Sequence, residues 1–167
     1  MNATQLSTLS ACLLVTQFAT AEPLKDFEKV VDACRAIYKE RGYLQIEKIA
    51  TGSDWVKRVY ARPTLTYDVQ KTNSLVSPFA GILSVTDVVA ILRAPDEASA
   101  QDLNPQLGGR ETSTSTSTLN FAYQSGKWVF TDGTRVSKSN IPGDTGTKVT
   151  INPSRQTGPL ARCIAGN

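Results

Sequence analysis

The hydrophobic period of this chain changes once, from a helical spacing to a strand spacing, and the change falls at Gly42. Over residues 23–41 apolar side chains recur at every third or fourth position, which predicts an amphipathic helix. The stripe consists of Leu24, Phe27, Val31, Cys34 and Tyr38. Pro23 suits the first turn of such a helix, and Gly42 is a natural stop. Beyond Gly42 apolar and polar residues alternate, which is typical of an antiparallel sheet with one solvated face.

The rest of the chain divides into short β segments separated by turn residues. Strands are predicted over residues 43–49, 55–72, 75–92, 111–124, 127–130 and 148–152. Pro63 cannot donate a hydrogen bond to a neighbouring strand, so it predicts a bulge, a bend or an edge. Ser125-Gly126 predicts a tight hairpin turn, and Asp132-Gly133 predicts a second turn.

One helix followed by five to seven antiparallel strands predicts an α+β fold in which the helix lies on a curved sheet. That arrangement resembles cystatin-like and related folds in architecture, and no motif extends the resemblance to a family. Residues 94–110 are rich in Pro, Gly and Asn and predict a long loop, with a helical turn from Asp96 to Asp102. A Pro- and Gly-rich tail is expected to lead to Cys163. The length favours one domain, over residues 22–167.

The N-terminus predicts export. Residues 1–21 contain no charged side chain, and an apolar stretch is followed by Ala19-Thr20-Ala21. This pattern is typical of a secretory signal peptide cleaved after Ala21, although Lys and Arg are missing from its start; a buried N-terminal helix is the alternative. Cys12 lies inside the apolar stretch rather than after it, so no lipid anchor is expected there. We therefore expect a periplasmic or secreted protein without a transmembrane segment.

Two cysteines, Cys34 and Cys163, remain after that cleavage. An even pair in an exported chain predicts a disulfide, and two buried free thiols are the alternative. The bond would close a loop of about 130 residues, which in a chain-entropy treatment stabilises the fold by up to ~4–5 kcal/mol. It would tie the N-terminal helix to the C-terminus.

The chain has no histidine, which removes Ser-His-Asp and Cys-His catalysis and His-ligated zinc. Its net charge is +3, with no run of four basic residues. Nucleic-acid binding calls for a stronger basic footprint. The two densest basic patches, Lys57 and Arg58 with Arg62, and Arg135 with Lys138, are therefore interpreted as solvated surface. No cofactor or metal site is predicted.

Carboxylates are the remaining catalytic candidates. Asp144-Thr145-Gly146 has the letters of an aspartic-protease site but lacks the apolar strand that feeds one, which favours a turn. A His-free hydrolase would need two facing carboxylates, for which Asp68 and Asp96 are the pair to test. Asp96 is better interpreted as a helix-initiating residue, and Asp68 as a cross-strand partner of a basic residue. We therefore predict no catalytic residues and a protein that is not an enzyme.

Binding is predicted on the polar side of residues 55–72. The candidate residues are Arg58, Tyr60, Arg62 and Thr64, assisted by the 95–110 loop. Tyr and Arg together are common in interface hot spots. This favours a small exported binding or accessory protein of the bacterial envelope, of the inhibitor or immunity type, with a protein partner. The alternative is a small-ligand carrier with a pocket between helix and sheet.

Threonine occupies every second position from Thr112 to Thr118, with serines between. The row predicts a flat hydroxylated recognition face, a solvated edge strand, or a flexible polar segment leading into Leu119. Ice binding would need such rows on several strands, whereas the sequence shows one.

Overall fold

The computed structural model describes residues 21–50, 52–104 and 111–165. Its helices are α1 (Ala21–Glu40), α2 (Glu97–Asp102) and α3 (Gly158–Ala165), with a 3₁₀ turn at Pro153–Arg155. Its strands are β1 (Leu44–Lys48), β2 (Trp55–Tyr60), β3 (Thr64–Lys71), β4 (Phe79–Ala94), β5 (Glu111–Gln124), β6 (Lys127–Ser139) and β7 (Thr147–Thr150). The predicted α+β class is confirmed, and so is the predicted helix ahead of an antiparallel sheet.

The sheet is organised around β4, a strand of 16 residues. Its strand order is β1-β2-β4-β5-β6-β7, and every neighbouring pair is antiparallel. β3 also pairs with β4, over residues 79–86, while β2 pairs with residues 89–94 of the same edge. β2 and β3 therefore follow one another along one side of β4.

A bulge at Pro63 separates β2 from β3. Tyr60 lies opposite Val89, and Thr64 lies opposite Thr86. The segment that joins β2 to β3 therefore has one more residue between these two pairs than β4 has. An extra residue reverses which side chains face each side of a sheet. The predicted interruption at Pro63 is confirmed. The predicted continuous alternation through residues 55–72 is wrong. Beyond the bulge, side chains at even-numbered positions face the opposite side of the sheet from those before it.

The main contact between α1 and the sheet is made by Phe27, which is fully buried. Its ring centroid lies 4.7 Å from that of Trp128 and 5.5 Å from that of Phe121. A Cβ atom on Gly81 would lie 2.5 Å from the Phe27 ring, so only glycine leaves room there. The Trp128 indole N–H donates to the Pro23 carbonyl at 3.0 Å, which fixes the start of α1. These contacts set the distance between helix and sheet.

The predicted disulfide between Cys34 and Cys163 is confirmed, with a Cα–Cα distance of 4.8 Å. Its second cysteine lies in α3, a helix that the predicted Pro- and Gly-rich tail did not include. Leu160, Cys163 and Ile164 are buried at helical spacing, and this apolar stripe stabilises α3 against α1 despite the flanking Pro and Gly.

The two predicted hairpin turns have different outcomes. Ser125 and Gly126 have positive φ angles of 51° and 79° and form the predicted tight turn between β5 and β6. Asp132 and Gly133 do not form a turn, because β6 continues through them at a register shift. A Cβ atom on Gly133 would lie 2.7 Å from the Thr118 carbonyl oxygen, so glycine is required by close backbone approach.

The predicted helical turn after β4 is present as α2. Asp96 caps it, because its carboxylate accepts a hydrogen bond from the Ser99 N–H at 2.7 Å. Lys57 lies 6% exposed and donates to the Gln101 and Leu103 carbonyls, both at 2.7 Å, at the end of the same helix. The interpretation of Lys57 as solvated surface is therefore wrong: its ammonium group satisfies carbonyls at the end of α2.

Several predictions fall outside the described residues. These are most of the signal peptide, including Cys12, and residues 105–110 of the predicted loop. Within the ranges that the structure describes, no helix is long and apolar enough to cross a membrane.

Candidate functional site: a polar pocket between the helices and the sheet

A cavity of about 300 Å³ lies where the end of α1, the core-facing side of the sheet and the start of α3 meet. We call it the Arg41 pocket. The polar side chains that line it on the helix and sheet walls include Tyr38, Arg41, Tyr60, Asp87, Ser115, Ser117 and Arg135. They come from α1, the connection to β1, and strands β2, β4, β5 and β6, so the fold as a whole assembles the site.

The pocket exists because the core-facing side of the sheet turns polar at one end. Leu83 and Val85 of β4 are buried, and Asp87 is the next residue whose side chain faces the same side of the strand. The register places Asp87 opposite Ser115 and Val85 opposite Ser117, and Ser117 in turn lies opposite Arg135. These polar side chains therefore lie on the same side of the sheet as the hydrophobic core, directly beside it.

Arg41 is the most constrained side chain of the pocket. Its two terminal nitrogens bind the two carboxylate oxygens of Asp87, the Nη2–Oδ1 contact measuring 3.1 Å. Its guanidinium carbon lies 3.8 Å from the centroid of the Tyr60 ring. The side chain is only 7% exposed, and its Nε is buried without a hydrogen-bond partner among the described residues. Arg41 is thus held in one position by an ion pair and a cation–π contact.

Arg135 is the second cation of the pocket, and no carboxylate in the described part of the chain pairs with it. Its Nε donates to Ser117 Oγ at 3.1 Å, which orients the guanidinium group and leaves the terminal nitrogens for another acceptor. Ser115 Oγ lies 2.8 Å from Ser137 Oγ on the neighbouring strand. The hydroxyl groups are therefore fixed by cross-strand contacts.

Tyr38 closes the pocket from the helix side. Burial, together with a smaller contribution from the Asp87 carboxylate, raises the pKa of Tyr38 to about 12, although Arg135 and Arg41 act in the opposite direction. The phenol therefore stays protonated at neutral pH. It makes no hydrogen bond to any described residue, so its O–H is available to a ligand.

The remaining wall is the start of α3, where residues 157–160 line the cavity. The first N–H groups of a helix are unpaired within it and carry partial positive charge, although Pro159 has no N–H group to contribute. The disulfide between Cys34 and Cys163 holds α3 against α1. The pocket geometry therefore depends on a covalent bond outside it.

The four predicted binding residues do not form one surface. Tyr60 lines the Arg41 pocket and donates to Gln45 Oε1 at 2.8 Å. Arg58 forms an ion pair with Glu47. Thr64 lies beyond the bulge, on the other side of the sheet. Arg62 lies in the connection between β2 and β3.

Arg62 lies instead in a second groove, of about 350 Å³, between α1 and the bulge. Two further basic residues line this groove: Arg35, which pairs with Asp32, and Lys39. Lys39 and Arg62 pair with no carboxylate among the described residues. Tyr43 lines the same groove and is 50% exposed.

The acidic catalytic candidates do not meet. Asp68 lies opposite Ile82, whereas Asp96 follows the far end of β4. That length of β4 spans about 40 Å at ~3.4 Å per residue, far beyond the separation of about 5–9.5 Å that glycoside hydrolysis uses. The two carboxylates bind Gln70 and the start of α2, respectively. No cluster of three metal-ligating side chains occurs in the described ranges.

Asp144 lies in a turn, as its neighbours predict. Its carboxylate accepts hydrogen bonds from the Ser139 hydroxyl at 2.6 Å, the Ser139 N–H at 2.5 Å and the Gly146 N–H at 2.8 Å. These bonds lower the pKa of Asp144 to about 2, with the Ser139 hydroxyl making the largest contribution. The carboxylate therefore stabilises the connection between β6 and β7.

The threonine row of β5 is internal, because β5 pairs with both β4 and β6. The interpretation as an edge strand is wrong. Across the strands, hydroxyl residues also align on the side away from the pocket. The longest such row is Thr66, Ser84, Thr118, Thr134 and Thr150.

Sequence reasoning missed most of the Arg41 pocket. One signal was available in Asp87, a charged residue at the parity of the buried positions of β4. A second was the pair Ser115 and Ser117, which share the parity of Leu119 and differ from the threonines between them. A polar residue at a core-facing position indicates a pocket or a buried pair. No sequence pattern brings Arg41 or Arg135 to the same place.

No protein-family model matches this chain, and neither curated proteins nor solved structures include a significantly similar one.

Proposed function

We propose that this chain is a non-enzymatic, exported protein that binds a small ligand in the Arg41 pocket. The observation that carries the proposal is the fixed position of Arg41, which Asp87 and Tyr60 hold on two sides at the pocket wall. A polar group that is already ordered loses little entropy when a ligand binds. Such preorganisation is expected of a binding site.

The size of the pocket supports a small ligand. Its volume of about 300 Å³ is at the lower end of the range of small-molecule sites. It equals the volume of roughly ten water molecules in the liquid. Polar groups converge on the pocket from the sheet, from α1 and from the start of α3. The aromatic rings of Tyr38 and Tyr60 supply apolar surface.

Export belongs to the proposal. The disulfide is of the kind that persists in oxidising compartments, and residues 1–21 carry the signal-peptide pattern. Cleavage after Ala21 would leave a periplasmic or secreted domain over residues 22–167. A cystatin-like layout, with α1 on a curved sheet, is likewise part of the proposal.

The chemistry of the pocket favours binding over catalysis. Asp87, the carboxylate that lines it, is engaged by Arg41 rather than facing a nucleophile. Ser115 and Ser117 lie beside hydroxyl and guanidinium groups, neither of which is a base.

Native mass spectrometry of the exported protein tests the proposal. Thr157 lines the pocket and is exposed, so Thr157→Trp would cover the entrance without disturbing the core. Thr66→Trp is the matched control, at an exposed position on the other side of the sheet. We expect a co-purified small molecule in the wild type and in Thr66→Trp, and its loss from Thr157→Trp. Equal retention in both variants would contradict the proposal.

The second groove supports a second candidate function, binding of a protein partner with an acidic segment. Lys39 and Arg62 face it as unpaired cations beside the exposed ring of Tyr43. This retains the envelope inhibitor or immunity-type prediction but moves the surface. Affinity capture from an envelope extract with the wild type, Arg62→Glu and the control Arg93→Glu tests it. Capture of one acidic partner that only Arg62→Glu loses is expected, and a partner that Arg62→Glu retains would contradict it.

A further inference from the structure

We infer that the ligand of the Arg41 pocket carries one carboxylate group, which binds to Arg135. The inference rests on the proposed function, because it names the chemistry of a ligand for the same pocket. It starts from Arg135, the guanidinium group that lines the cavity without a carboxylate partner among the described residues.

The charges of the pocket favour a single negative charge on the ligand. Arg41 and Asp87 neutralise each other through their paired contacts. Tyr38 is a protonated phenol, and the serines are uncharged, so Arg135 is the remaining charge. One carboxylate would make the site neutral, whereas a phosphate group of about −1.5 to −2 would leave excess negative charge. Uncompensated charge is costly in a partly buried site.

The donors around Arg135 fit a carboxylate. Its Nε is bound to Ser117 Oγ, and the two terminal nitrogens present the parallel N–H groups that bind a carboxylate through both oxygens. Because Ser117 accepts from Arg135, its own proton is free for the ligand. Tyr38 supplies another O–H donor from the opposite side.

Two features add positive potential at the same place. The start of α3 lines the cavity, and helix N-termini favour anions. The buried Nε of Arg41 has no acceptor among the described residues, although the side chain is only 7% exposed. That nitrogen has almost no accessible surface, so it adds positive potential beside the cavity without itself contacting a ligand.

The body of the ligand is constrained by the walls. The rings of Tyr38 and Tyr60 and the side chains of Val85 and Leu160 offer apolar and aromatic surface beside the cations. A compact aromatic or branched body with one carboxylate matches this surface and the volume of about 300 Å³.

Amide chemical-shift titrations of the exported, disulfide-bonded protein test the inference. The probes are benzoate, its uncharged analogue benzamide, and phenyl phosphate. We expect benzoate to shift the amide signals of Ser115, Ser117 and Leu160. Benzoate should bind at least tenfold more tightly than benzamide, and no less tightly than phenyl phosphate.

Variants assign the contact. Arg135→Gln should weaken benzoate binding at least tenfold. Arg135→Lys keeps the positive charge but loses the two parallel N–H groups, so it should weaken binding by an intermediate factor. Ser117→Ala should weaken it about threefold, which keeps the test valid if Arg135→Gln fails to fold. Arg93→Gln is the control, because Arg93 is exposed and lies near the far end of β4.

Four results would overturn the inference. Benzamide binding as tightly as benzoate would exclude charge recognition, and tighter binding of phenyl phosphate would assign a different anion. Unchanged benzoate affinity in Arg135→Gln, or no shift with any probe, would also contradict it. The proposed function is judged separately, because a neutral molecule that co-purifies with the wild type but not with Thr157→Trp would support the pocket while excluding the carboxylate.

Discussion

The guanidinium group of Arg41 and the carboxylate of Asp87 join the end of α1 to the middle of β4 through two contacts. The residues are 46 positions apart, and their side chains are 7% and 22% exposed. The ion pair lies directly in the wall of the Arg41 pocket. Stability and binding are therefore coupled at this point of the fold.

Replacing Asp87 by Asn should lower the free energy of unfolding by about 3 kcal/mol, because it leaves the buried charge of Arg41 without a counter-ion. Urea unfolding measures the change. Glu40→Gln is the matched control: the pair of Glu40 and Arg162 is more than half exposed and is expected to contribute less than about 1 kcal/mol. Equal effects of the two substitutions would show that the pair of Arg41 and Asp87 does not stabilise the fold.

Replacing Gly81 by Ala should destabilise the protein by about 1–3 kcal/mol, because the new methyl group would collide with the ring of Phe27. Gly52→Ala is the control, since its nearest atom would lie 3.8 Å away. Thermal unfolding compares the two. Adding Phe27→Leu to Gly81→Ala should cost less than the sum of the single changes, whereas strict additivity would argue against this contact.

Removal of the disulfide should affect both stability and binding. In the double variant Cys34→Ser with Cys163→Ser, loss of the constraint on a loop with a sequence separation of 129 should lower stability by up to ~4–5 kcal/mol. Because α3 forms one wall of the pocket, benzoate affinity should also fall under conditions in which the variant remains folded. Unfolding curves and the benzoate titration measure the two effects. Unaltered affinity in the folded variant would show that the position of α3 does not depend on the disulfide.

Asp144 should make the fold sensitive to acid. Its pKa is about 2 in the folded protein, below the ordinary value of 3.8, so its stabilising contribution is complete above pH ~4 and is lost as the pH falls toward 2. Asp144→Asn should therefore have a lower melting temperature than the wild type at pH 6. The difference should shrink between pH 4 and pH 2, and a difference that stays constant with pH would contradict the assignment.

Much of the fold follows from local pattern. The helical stripe around Phe27 and Cys34 predicts α1, the Ser125-Gly126 turn predicts the hairpin, and an even pair of cysteines predicts the disulfide. These features depend on residues close in sequence, or on the chemistry of one residue type. For that reason they can be predicted without the fold.

The pocket depends on contacts that no local pattern contains. The extra residue at Pro63 reverses the facing of Thr64 relative to Tyr60, which divides the predicted binding surface between two sides of the sheet. Arg135 reaches Ser117 only through the register of β5 and β6. α3 was missed because Gly158 and Pro159 resemble a loop, although both lie at the start of the helix.

The most direct test of a ligand site in the Arg41 pocket is amide chemical-shift mapping of the wild type with a small-molecule extract of the compartment into which we propose that it is exported. We expect shifts at Ser115, Ser117 and Leu160 that disappear in Thr157→Trp. Shifts confined to Thr66, Ser84 and Thr118, on the other side of the sheet, would contradict it.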